Sequence, residues 1–159
     1  MTWLGRVVLP LRILLVVLFL ILVVFQTFSF PGQFAHLAEQ DPGSAYLRWP
    51  LTAFAAVEIL CVQVVLVCTW RLLSLVQHDE IFSEGAFVWV DLIVGALAVA
   101  WVLFAGFAAF VVLQADDPGV PLVLFALLLV GGVVALLVVV MRTLLRRATV
   151  LRTDLEGVI

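Results

Sequence analysis

Few side chains in this sequence can do chemistry, and the most conspicuous sits inside an apolar run. Glu58 lies about 10 Å into the run that begins at Leu51, counting 1.5 Å of rise per helical residue. An ionisable group at membrane depth is costly to place, which makes it a functional candidate by default. On a helix it shares a face with Cys61, Val65 and Cys68, while Gln63 points elsewhere. Gln26, near the end of the first apolar run, falls at similar depth and is the expected hydrogen-bond partner of Glu58. Two readings follow: a proton- or cation-coupled transport site, or a structural hydrogen bond inside a helix bundle. A lone acid with no second carboxylate or cation forms no relay, and this favours the structural reading.

Other chemistry is scarce. Cys61 and Cys68 are seven residues apart, about 10 Å along a helix axis, too far for a disulfide. They read as small core residues, and no C-x-x-C pair is present. No apolar run contains a histidine, so bis-histidine haem ligation is not expected. There is no G-x-S-x-G, no H-E-x-x-H and no phosphate-cradling glycine loop. His36 reads as a solvated loop side chain, and so does the group His78, Asp79 and Glu80. Asp91 is expected to pair with Arg71 or Arg142 in a structural role. These readings point away from an enzyme and imply no cofactor and no metal.

The surroundings of these residues are hydrocarbon-soluble. Of 159 residues 66% are hydrophobic and 12% charged, with a mean hydropathy of +1.32. Soluble domains carry about 25% charged residues, so this chain must give its outer face to lipid. The net charge of -3 is too small to suggest nucleic acid. Four spans are expected, at about 11–30, 51–73, 87–113 and 120–141. The first has basic residues ahead of an apolar core, as a signal peptide does, but it is longer than a signal core and reads as an uncleaved helix. Pro31 and Gly32 are expected to end it and to open a polar loop over 31–50. Ser83 and Glu84 read as a helix start. In the third span Gly95, Ala98, Ala105 and Ala109 form a stripe suited to close helix packing. Asp116 to Gly119 is a tight turn, and Gly131-Gly132 suggests close packing or a slight kink in the fourth span.

The tail, 142–159, changes character. Met141, Leu144, Ala148, Leu151, Leu155 and Val158 recur at spacings of 3, 4, 3, 4 and 3, a heptad-like seam running out of the fourth span. The expectation is a short amphipathic helix that lies on the membrane, folds back on the bundle or pairs with a partner. Orientation follows from arginine, the only basic residue type present besides histidine. A cytoplasmic N-terminus places seven of the eight arginines inside and leaves Arg48 outside. The fold expected is therefore an all-α, four-helix transmembrane bundle with both termini in the cytoplasm, forming one membrane domain over 1–159. Arg71, Phe82, Ser83, Asp91, Leu144, Leu151 and Leu155 are the candidate cytoplasmic interaction residues. The favoured function is a small regulatory or scaffolding membrane protein that binds a partner through its hinge or tail. The alternative is a small proton- or cation-coupled transporter or channel subunit that uses Glu58. Self-association of the chain stays open.

The hinge RLLSLVQHDEIFSEGAFVWVDLI and the tail LLRRATVLRTDLEGVI resemble a family of small bacterial membrane proteins, domain of unknown function 2975. The similarity rests on Ile81-Phe82-Ser83 after the second span and on the ending Asp154-Leu155-Glu156-Gly157-Val158-Ile159. Asp79-Glu80 stands where that family usually has a glycine or basic residue, which argues against anion binding at the hinge. The resemblance implies four spans, a bacterial cytoplasmic membrane, and a cytoplasmic helix-turn-helix regulator as partner, with no direct contact to nucleic acid.

The arginine distribution makes one prediction. Cysteines placed at Asp41 and Asp117 should react with an impermeant thiol reagent added to intact cells, and one at Glu80 should not. Outside labelling at Glu80 would reverse the orientation.

Overall fold

The computed structural model describes residues 2–40, 42–77, 84–115 and 117–158. Among them there is helix and no strand. The helices are α1 (Thr2–Val24), α2 (Phe30–Gln40), α3 (Arg48–Gln77), α4 (Glu84–Gln114) and α5 (Gly119–Gly157). A π-helical turn (Phe25–Ser29) joins α1 to α2, and a 3₁₀ segment (Pro42–Leu47) precedes α3. Among the described residues four stretches are long and apolar enough to cross a bilayer: Val7–Leu37, Ala45–Gln77, Gly85–Gln114 and Gly119–Gly157. This is the all-α, four-span architecture that composition and periodicity predict. The chain divides into two compact units, Met1–Trp70 and Arg71–Ile159.

In the first unit the expected loop over 31–50 is instead largely helical. Pro31 does not stop the first helix, because the backbone widens just ahead of it. Proline lacks an amide hydrogen, and its ring clashes with the carbonyl four residues back. Across Phe25–Ser29 the bonding shifts by one residue, so the Phe30 amide donates to the Phe25 carbonyl. The Thr27 hydroxyl donates to the Val23 carbonyl at 2.8 Å within the same stretch. The helix passes the proline and runs on to Gln40. On α3, Ala55, Ile59, Cys61, Gln63 and Cys68 are buried. Gln63, expected to point away from the cysteine face, is thus also inside. The two cysteines are free thiols.

In the second unit α4 and α5 run antiparallel, with Asp91 meeting Arg142 and, further along α4, Trp101 meeting Leu128. The Trp101 indole donates from Nε1 to the Leu128 carbonyl at 3.0 Å. That carbonyl is the one facing the Gly132 amide in an α-helical ladder. A Cβ added to Gly131 would lie 3.3 Å from Trp101 Cδ1, and one added to Gly132 would lie 3.4 Å from Nε1. The glycine pair is therefore the flat seat on which the indole rests, the close-packing outcome rather than a break, since α5 continues unbroken to Gly157. The small-residue stripe on α4 is not what makes this approach: Gly95, Ala98 and Ala109 are exposed, and Gly95 faces open space. A large residue of α4 meets small residues of α5, the reverse of the pattern expected. Before α5, Asp117 Oδ1 accepts the Gly119 amide at 3.2 Å, a local bond typical of a turn. Asp116 lies outside the described residues.

The seat for Trp101 is testable. Gly132→Leu should lower the stability of the detergent-solubilised protein by about 1–3 kcal/mol, the usual cost of overpacking. Adding Trp101→Ala should recover part of that loss, because the two residues touch. Strictly additive losses in a thermal or denaturant unfolding series would show that the contact carries no stability.

Candidate functional site

Two polar sites stand out, one in each unit. The first is built on α3. Glu58 is half-buried, and its Oε1 atom is shut away from solvent without a hydrogen-bond partner among the described residues. The expected bond from Gln26 does not form. Gln26 lies in the π-helical turn, where one extra residue per turn changes the direction of its side chain. Its Nε2 donates to the Ala56 carbonyl at 3.4 Å, two residues short of Glu58. At the other end of the unit, the Arg12 guanidinium lies 5.1 Å from the centre of the Trp70 ring. The pairs 26 with 56 and 12 with 70 show that α1 and α3 are antiparallel. Glu58 is thus held between two fixed levels with its carboxyl uncommitted. Such a carboxyl can take up a proton or lie against a passing cation. Among the described residues no three of His, Cys, Asp and Glu come together to hold a metal.

The second site is the polar end of the α4–α5 pair. Asp91 accepts a hydrogen bond from Arg142 Nε. Of the two partners expected for Asp91 the structure thus selects Arg142. Arg71 lies instead over the Trp89 ring, 5.5 Å from its centre, a cation–π arrangement. Beside the ion pair is a groove of about 560 Å³, lined by Phe87 and Asp91 on α4 and by Arg142, Arg146, Thr149 and Asp154 among others on α5. The Thr149 and Thr153 hydroxyls are turned onto their own helix, donating to the Leu145 and Thr149 carbonyls at 3.0 Å. They present only lone pairs to the groove.

The remaining face of the tail is open. Leu144, Leu151 and Leu155 are 54%, 64% and 70% exposed. Arg152 Nε donates to Glu156 Oε1 at 3.2 Å, one helical turn on. The tail is therefore no separate element: α5 carries span and tail as one helix of 39 residues. Of the candidate interaction residues, Asp91 lies in the groove, Arg71 is on Trp89, and the three leucines lie along the open seam. Phe82 and Ser83, with His78, Asp79 and Glu80, lie outside the described residues. Sequence reasoning missed Trp89 and Trp101 as partners and Arg146 and Thr149 as groove residues. The signal for the last two was present, since 142, 146, 149 and 153 recur at spacings of 4, 3 and 4 on the face away from the seam.

The family model described as Protein of unknown function (DUF2975) matches residues 32–159. Neither the curated proteins nor the solved structures contain a match to the chain.

The ion pair between α4 and α5 sets a prediction. Asp91→Arg places two cations together, so it should lower the melting temperature in detergent, and Arg142→Asp added to it should restore most of the loss. Both effects should weaken as salt is raised, because the pair is partly exposed. A double variant no more stable than Asp91→Arg would show that the pair does not hold the helices together.

Proposed function

Since the chain belongs to the DUF2975 family, which names no activity, we propose that it is a small regulatory or scaffolding protein of a bacterial cytoplasmic membrane. Four helices anchor it, both termini face the cytoplasm, and the end of α5 is offered to a cytoplasmic partner. One observation carries the reading. The seam of Leu144, Leu151 and Leu155 is exposed on a helix that outruns α4, and fully burying each such leucine is worth about 1.5–3 kcal/mol. Lipid covers the apolar faces of the spans but not the far end of this seam, so a partner is the means of covering it. By family resemblance the partner is a helix-turn-helix regulator. The groove by Asp91 and Arg146 belongs to the same end of this unit and extends the surface.

A second reading is favoured by the unpartnered Oε1 of Glu58: a proton- or cation-coupled transporter or channel subunit. A carboxyl kept uncommitted inside a span is where such a protein would hold its coupling ion.

Two measurements separate these readings. Deleting 149–159 should leave the four spans inserted and stable but abolish co-isolation of the partner in mild detergent. If the deletion lowers stability or causes aggregation with co-isolation intact, the tail packs on its own bundle or on lipid. Glu58→Gln should leave folding, stability and partner recovery unchanged. Loss of proton- or cation-dependent flux in proteoliposomes, with stability retained, would establish the transport reading instead.

A further inference from the structure

The heptad row of the tail extends through the whole of α5. Counting back from Leu144 by alternating steps of three and four reaches Met141, Leu137 and so on to Val120, and every position in the row is exposed. Inside the span this has no consequence, because each face there is apolar and lipid satisfies it. Beyond Arg142 the same row loses its lipid. No glycine or proline lies between Gly132 and Gly157, and the helix continues without interruption. At 1.5 Å per residue, Leu151 and Leu155 stand about 15 and 21 Å past Met141. The headgroup layer accounts for roughly 5–8 Å of that distance. A helix of average tilt does not return these residues to the membrane. Nor does α4 cover them, since its residues Phe87 and Asp91 line the groove on the other face of α5.

The charges beside the seam discriminate among occupants. Leu144, Leu151 and Val158 take one seam position, and Met141, Ala148 and Leu155 the other. The flanking positions then hold Arg147 and Asp154 on one side and Leu145 and Arg152 on the other. A second copy in the same membrane must pair in parallel, because each tail runs straight out of its own span. Parallel pairing sets one flanking residue against the opposite flank five residues further along the other helix. Arg147 would then face Arg152 of the second copy, on both sides of the pair. That juxtaposition repels, so self-pairing of the tail is disfavoured. Arg152 is meanwhile held beside the seam by Glu156 at 3.2 Å.

We propose that the tail, 144–158, docks an amphipathic helix of another protein that carries aliphatic residues at the matching seam spacing and carboxylates at the positions facing Arg147 and Arg152. The inference rests on the tail-docking reading above and adds the chemistry of the partner. The aliphatic seam supplies binding, and the two arginines select acidic over basic partners and set the register.

The test uses the full chain in lipid nanodiscs and two synthetic four-heptad peptides. The peptides share one leucine and valine seam and differ only at the two positions facing Arg147 and Arg152, glutamate in one and lysine in the other. The glutamate peptide should bind at least tenfold more tightly, and the preference should shrink as salt is raised. Arg147→Glu combined with Arg152→Glu should reverse the preference, while Leu151→Asp with Leu155→Asp should abolish binding of both peptides. Equal binding of the two peptides, or binding of neither, overturns the acidic-partner proposal. If deleting 149–159 still abolishes partner co-isolation in that case, tail docking stands and only the partner chemistry falls. Efficient disulfide formation between Leu151→Cys chains in nanodiscs holding two copies would assign the seam to self-association and overturn the proposal.

Discussion

A polar group inside a bilayer has no water to turn to, so every backbone amide and carbonyl there needs a partner within the protein. This constraint accounts for most of what is seen. It makes the chain helical and keeps it helical past Pro31, where a straight helix would lose a bond. Just ahead of the proline the bonding shifts to the π-helical pattern, with the Phe30 amide donating to the Phe25 carbonyl. The same constraint turns hydroxyls inward: Thr27, Thr52, Thr69 and Thr143 each donate to the carbonyl four residues back, at 2.7–3.0 Å. A threonine in such a helix thereby costs no unsatisfied group.

Against this background the exceptions are informative. The Gln26 amide reaches a backbone carbonyl on α3 rather than the nearby acid. Trp101 does the same across α4 and α5, using a carbonyl that the glycine pair leaves accessible. In both cases a side-chain donor ties two antiparallel helices by adding a second bond to a carbonyl already inside a helix. Carbonyl oxygens have two lone pairs, so the tie adds to the ladder without replacing a rung. Among the described residues, Glu58 Oε1 is a carboxyl oxygen left out of this pattern, and a buried polar atom without a partner weighs on stability unless something uses it. That imbalance keeps the transport reading alongside the docking one.

The ends of the spans obey different physics. Arg12 on Trp70 and Arg71 on Trp89 place cations over indole faces, a way of holding a charge next to apolar surface. Asp91 and Arg142 neutralise each other between α4 and α5. Past them α5 outruns α4, and its apolar row stays exposed.

The sequence by itself determined the all-helical architecture and the number of spans, because apolar runs of about twenty residues admit one folded form in lipid. It also determined the tail seam, since a spacing of three and four is a property of any helix that carries it. Tertiary structure decided which polar groups meet. Asp91 had two candidate arginines at comparable depth, and the antiparallel register of α4 and α5 chose Arg142. Gln26 and Glu58 share a depth, but the extra residue in the π-helical turn changed where the amide points. The role of Gly131-Gly132 was half legible as a packing site, whereas its occupant was not. Trp101 is thirty residues away, and only the approach of two helices brings it there. Pairing across helices depends on rotation and register, which a periodic apolar pattern leaves undetermined when every face of the helix is apolar.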